Sequence, residues 1–248
     1  HRDLHLSIRR QRQMCIRDRH GVINMNVKEA FLSRRSVRRF LSKPVPKDKI
    51  KNILECSAFA PSGHNIQPWH VYVVEGKKKE AITNSILESI KDGSAKEFKQ
   101  EFDYYPTEWF EPFISRRRAV GFELYKLLNI GREDFEARDK QMQENFHFFG
   151  APLGMFITMD RRLATGTFMD VGMFIQSILV GARGEGLHSC GQVAFTKFHT
   201  LIADQLNFKE NEMLVCGVSI GYEDTSAPEN ALRVEKLDYT DYTTFLSE

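Results

Sequence analysis

Four arginines and a serine fall within six residues at Arg34-Arg35-Ser36-Val37-Arg38-Arg39. A guanidinium presents a planar fork of donors that matches two phosphate oxygens. In an extended segment, alternation sends Arg34, Ser36 and Arg38 to one side. The cluster reads as an anion site or as a solvated basic loop. A second stretch, Ala60-Pro61-Ser62-Gly63-His64-Asn65-Ile66-Gln67-Pro68-Trp69, sets two amides and an indole among turn residues. Amides offer paired donors and acceptors suited to the edge of a planar heterocycle; the plainer reading is a turn with Trp69 in the core. In a third, Gly186-Leu187-His188-Ser189-Cys190-Gly191-Gln192, a glycine turn lets backbone N–H groups approach a ligand. His188 and Cys190 lack the second pair that a metal site or a nucleophile would require. A fourth, Pro228-Glu229-Asn230-Ala231-Leu232-Arg233 with Lys236, is by itself an ordinary polar tail.

The elements that must hold these residues follow from apolar spacing. Val27, Ala30 and Phe31 predict a short helix leading into Ser33. Pro44 and Pro46 mark a loop, and Ile50, Ile53 and Leu54 carry a helix that ends before Pro61. His70–Glu75, Leu153–Met159 and Met213–Ile220 read as strands, and Lys77–Lys91 as a helix. Phe168, Val171, Ile175, Ile178, Leu179 and Ala182 give the strongest helical pattern, with Gly184 or Gly186 as its cap. Thr196 is a candidate N-cap for a helix running to Leu206. Helices outnumber strands and separate them, so an α+β or α/β single domain is expected. The order of Gly181-Ala-Arg-Gly184-Glu-Gly186 is wrong for a dinucleotide fingerprint, and it ends a helix rather than opening one.

Charge sharpens the choice among functions. The 248 residues carry 35 Lys+Arg and 33 Asp+Glu, a net charge of +2. Residues 1–24 alone hold six Arg and two Asp, leaving 29 basic and 31 acidic residues in the rest. The excess basicity therefore lies in this leader, and the body gives no general case for nucleic acid or membrane. The leader lacks an apolar signal core. Arg12–Arg19 reads as non-native read-through or as a real basic arm, and helical patterning begins just after Met25. Four scattered cysteines exclude a disulfide scaffold and favour a reducing, cytoplasmic setting. The longest apolar run, within Val171–Ala182, is too short and mixed for a membrane span.

Taken together, RRSVRRF, APSGHNIQPWH, FFGAPLGMFIT, DVGMFIQSILVGARGEGLHSCGQVAF and VSIGYEDTSAPENALR resemble the flavin-dependent nitroreductase family in order and spacing, from about Met25 to Leu237. Tyr105-Pro106-Thr107-Glu108-Trp109 and Arg116-Arg117-Arg118 resemble one branch of it. The resemblance implies an α+β three-layer sandwich, a mixed and mostly antiparallel sheet flanked by helices. It implies an FMN-binding homodimer with active sites at the subunit interface, residues 94–148 as a helical lid and 225–248 as an arm embracing the other subunit. Tyr239, Tyr242 and Phe245 would then pack on the partner.

By the same resemblance, Arg34 and Ser36 would hold the FMN phosphate and ribityl chain, with Arg35 lining the groove and Arg38 near the pyrimidine edge. Pro61, Ser62, Gly63, Asn65 and Gln67 would reach the flavin of the other subunit. Gly191 and Gln192 would lie beside N5, and Arg233 and Lys236 would close the phosphate site. Relatives usually carry Arg where Lys236 stands; lysine keeps the charge without the fork. Trp109 would shape the acceptor pocket, or else pack in the core or an interface. The flavin carries the redox chemistry, so no catalytic side chain and no metal is expected. The implied reaction takes hydride from NADH or NADPH to flavin N5 and on to a nitroaromatic or quinone by ping-pong kinetics. Reductive dehalogenation and enone reduction on the same fold are the enzymatic alternatives. A nucleic-acid binder using Arg34–Arg39 is the non-enzymatic one, disfavoured by the acidic body.

Overall fold

The computed structural model of the chain describes residues 25–247. The leader reading of residues 1–24 therefore lies outside the described residues.

Helix α1, Val27–Ser33, starts at a capping box: Asn26 Oδ1 accepts from the Glu29 N–H, and the Glu29 carboxylate accepts from the Asn26 N–H. Only Ala30 of this helix is buried. Helix α2, Lys47–Ser57, follows directly after Pro46 and buries Ile50 and Ile53. Strand β1 is Trp69–Glu75 and helix α3 is Gly76–Asp92. Helices α4, Phe113–Leu127, and α5, Phe135–Gln143, bury no residue fully. Strand β2 is Leu153–Asp160, and the long helix α6 spans Thr167–Gly184. Val171, Phe174, Ile178 and Ala182 form the buried stripe of α6, at the three- and four-residue steps of one helix face.

The expected glycine turn is Gly186, at φ +71°, and His188–Gln192 after it forms strand β3, which the apolar spacing did not mark. One expectation from sequence is corrected here. Thr196 caps no helix. It lies within the 3-10 turn Val193–Phe198, where its Oγ1 donates to Val193 O and Gln100 Oε1. Helix α7, His199–Leu206, begins after that turn, and strand β4 is Glu212–Gly221. The hydroxyl found closer carbonyl partners than the helix N-terminus.

The sheet order is β1-β2-β4-β3, and every pair is antiparallel. A single parallel bridge between Ser36 and Ser189 at the β3 edge makes it mixed. Strand β2 is central, and its alternation splits the core in two. Leu153, Met155, Ile157 and Met159 pack with residues of α2 and α6. Phe156 packs on the other face with Ile82, Ile86, Phe195, Phe198 and Ile202. Helices thus cover both faces, the expected three layers. Each fully buried side chain of this size contributes about 1.5–3 kcal/mol of burial free energy. Gly217 makes room for one of them: a Cβ there would meet Phe195 Cδ2 at 2.4 Å.

Candidate functional site

The arginine segment is laid along the open edge of β3. The Val37 N–H donates to Ser189 O at 3.2 Å, the Phe40 N–H to Phe149 O at 3.0 Å and the Leu41 N–H to Tyr222 O at 2.9 Å. Val37 is completely buried. With Val37 turned inwards, the residues on either side turn outwards. Arg34, Ser36 and Arg38 line one cavity, as alternation predicts, and Arg35 lines it too.

That cavity measures about 490 Å³. The end of α6 and the start of β3 add Arg183 and His188, and the C-terminal segment adds Arg233 and Lys236. Arg35 ion-pairs with Glu223, a nearly buried carboxylate whose other oxygen lies 3.2 Å from His188 Nε2. Among the described residues, Arg34, Arg38, Arg183, Arg233 and Lys236 form no ion pair. Six cations thus surround one space with a single carboxylate engaged among them, a field built for an anion.

His188 is neutral at pH 7. Burial, reinforced by the Arg183 charge, pushes its pKa down to about 4, with Glu223 pulling the other way. Its buried Nδ1 has no hydrogen-bond partner. Burial also lowers the pKa of Arg183. The Arg183 guanidinium donates to Ser33 Oγ at 3.1 Å and to Leu187 O at 2.8 Å, tying α1, α6 and β3 together. From sequence, His188 reads only as a metal ligand or nucleophile, and Arg183 belongs to none of the candidate sets. The available signal was a basic residue in the last turn of the strongest helix, where the carbonyl end favours cations.

A second cavity of about 260 Å³ shares Arg38 with the first. Gly191 and Cys190 form its floor, and Tyr125, Gln141, Met142 and Asn145 close it from α4, α5 and the following turn. Burial pushes the Cys190 thiol up, and Cys216 up to about 12, so both stay protonated and weakly nucleophilic. Among the described residues no cluster of His, Cys, Asp and Glu could hold a metal. No described helix is long and apolar enough to cross a membrane.

The remaining expected site residues lie elsewhere. Pro61, Gly63, Asn65 and Gln67 are exposed and Ser62 is half-buried; none lines either cavity. Their loop is tied to α6, with the Gly63 N–H donating to Asp170 Oδ1 at 3.3 Å. The Gln192 side chain is committed inwards, its Nε2 donating to Asn145 O at 2.7 Å and its Oε1 accepting from Ser219. Gln192 is nearly fully buried, lines neither cavity, and its backbone N–H faces the Cys216 sulfur. Trp109 is half-buried, stacked under Arg117 at 4.7 Å and 5.3 Å from the Tyr105 ring.

The family model described as Nitroreductase family matches residues 32–222. Over 222 residues the chain is 35% identical to the nitrobenzene nitroreductase of Ectopseudomonas oleovorans, covering 90% of this chain and 97% of that protein. It is 38% identical over 210 residues to a 4-nitrobenzoate reductase of Nocardioides sp. (strain LMS-CY), covering 83% and 84%. Its fold superposes at a TM-score of 0.86 on the crystal structure of the FMN and NADPH-dependent nitroreductase NfnB from Sphigopyxis sp. strain HMH. That protein is 33% identical, with 90% of this chain and 100% of the other covered.

Proposed function

This chain belongs to the nitroreductase family, and on that footing we propose that it is an FMN-dependent oxidoreductase that reduces nitroaromatic or quinone acceptors at the expense of NAD(P)H. The observation that carries the reading is Arg38, which lines both cavities. Behind it lies a chamber of cations; beyond it lies a smaller, less charged chamber floored by a glycine. A ligand with an anionic end and a flat body fits that sequence of surfaces.

The fit to FMN is specific to its two ends. Arg34, Arg35, Ser36, Arg233 and Lys236 would hold the phosphate, with Arg183 as a further cation of the same wall. Lys236 acts there as a point charge rather than a fork. Arg38 would place a fixed positive charge by the ring, favouring the reduced, more anionic state. Gly191, which is exposed, lets backbone approach the ring where a side chain would intervene. When bound, FMN supplies the hydride-accepting and hydride-donating ring. The protein's own tasks are to bind, orient and charge-balance it.

The second subunit of a homodimer completes the site in this reading. Pro61, Ser62, Gly63, Asn65 and Gln67 stand free of their own cavities and are available to the partner's flavin. Val27, Phe31, Leu32 and Phe59 are large, exposed and apolar, as are Tyr239, Tyr242 and Phe245 of the 225–248 arm. Such a density of exposed apolar side chains marks an interaction face. Residues 94–148, carrying α4 and α5, act as the lid, and Trp109 shapes the acceptor pocket from it. The cations turn into a cavity rather than along a surface stripe, which suits a small molecule and not nucleic acid. Free Cys56, Cys190 and Cys216 and a nicotinamide donor both suit the cytoplasm.

Donor and acceptor use one site in turn. Initial rates measured over a grid of NADPH and nitrobenzene concentrations should give parallel double-reciprocal lines. Intersecting lines would overturn the alternation and require both substrates to be bound together.

A further inference from the structure

We infer that Asn230, which lies in the fourth sequence stretch but has no role assigned there, is a positioning residue that sets the cationic wall for the cofactor phosphate. The inference rests on the FMN reading above. Asn230 is only 4% exposed, although it lies in a polar C-terminal segment. Every polar group of its side chain is used on main chain, two of the three partners lying more than 190 residues away in sequence. Its Oδ1 accepts from the Arg38 N–H at 2.8 Å. Its Nδ2 donates to Arg39 O at 2.7 Å and to Asp224 O at 2.8 Å. One amide therefore reads the backbone of the arginine segment on both sides of a single peptide unit.

The main-chain oxygen of the same residue does the complementary work. Arg35 Nη1 donates to Asn230 O at 3.1 Å, and Arg233 Nη1 donates to it at 2.9 Å. Two guanidiniums from opposite ends of the chain converge on one carbonyl beside the cavity. Like charges held together repel, and the carbonyl dipole offsets part of that repulsion before any anion arrives. The neighbouring Glu229, also buried, pairs with Arg39 at 2.9 Å, and Arg39 reaches Glu144 at 3.1 Å. Asn230 thus fixes backbone and side chains of the wall together. Preorganised donors bind an anion without reordering cost, and a loosened wall must be ordered anew at each binding event.

Without the amide, the part-buried Arg38 N–H loses its acceptor, while Arg39 O and Asp224 O keep only the Asp224 and Ala227 N–H groups, so the segment loses the tie that spans it. The test compares FMN with riboflavin, which lacks the phosphate, on the purified full chain stripped of flavin. Wild type should prefer FMN over riboflavin; absence of that preference would defeat the cofactor reading itself. In Asn230→Ala, FMN affinity should fall about tenfold more than riboflavin affinity, the loss of roughly one charge-assisted hydrogen bond. Equal losses for both flavins would mean a merely structural role and overturn the inference, as would no loss. If Asn230→Ala does not fold, Asn230→Asp serves the same ratio: its carboxylate keeps an acceptor for Arg38 but faces Arg39 O and Asp224 O without a donor. It too should lower the FMN-to-riboflavin ratio, and an unchanged ratio there would overturn the inference.

Discussion

Arg183 Nη1 sits 2.8 Å from His188 Nε2, where helix α6 hands over to strand β3 beside the cationic cavity. An arginine this close cannot coexist comfortably with an imidazolium. The Glu223 carboxylate attracts the ring, but Arg35 and Arg183 both oppose its protonation, and burial adds most. The folded pKa of about 4 lies below the ordinary histidine value of about 6.5. The folded state therefore binds fewer protons than the unfolded chain between those values. Stability falls as pH drops from about 6.5 to about 4 and gains nothing from this group above that window. Urea midpoints of the flavin-free chain at pH 7.5 and pH 5 should show a larger acid loss for wild type than for His188→Leu. Equal losses would contradict the assignment.

Gly217 is where β4 yields space to Phe195, a fully buried ring. Gly217→Ala should lower unfolding stability by about 1–3 kcal/mol through overpacking. Denaturant unfolding at neutral pH measures it. A change inside experimental error would show that the aromatic layer repacks freely.

Arg34 faces the cavity with no ion pair among the described residues. Arg34→Ala should weaken FMN binding about tenfold, as expected for one charged donor. Fluorescence titration of the apoprotein reads this directly. Arg10→Ala, in the leader, should leave the affinity unchanged. An equal effect of both substitutions would mean that overall charge, not placement, holds the cofactor.

The arm is predicted to hold the dimer. Tyr242 and Phe245 are 69% and 80% exposed within one chain. Truncation after Asp238 should lower the mass measured by light scattering at micromolar concentration and slow acceptor reduction. An unchanged mass would place the subunit contact elsewhere.

How far these features were legible from sequence varied with the length scale of the cause. Strands β1, β2 and β4 and helix α6 were readable because apolar spacing is local and strong. Strand β3 was not: His188, Ser189, Cys190, Gly191 and Gln192 have poor strand propensity, and only pairing with β4 makes them a strand. Thr196 looked like a cap because a lone threonine before a helix usually is one, but Gln100 and Val193 lay closer. The phosphate-facing set was partly legible, since four arginines crowd into one segment. Arg183 was hidden because it reaches the cavity from a different element, 149 residues after Arg34. Asn230 stood in the fourth stretch, but its role was not legible, because two of its partners, Arg38 and Arg39, lie more than 190 residues away.

The most direct test of the central claim is optical. The purified full chain, loaded with FMN and freed of excess, is mixed anaerobically with NADPH and then with nitrobenzene. The flavin absorbance should bleach with the first addition and return with the second, over repeated cycles. A chain that cannot retain FMN, or whose bound flavin is untouched by NADPH, would contradict the account.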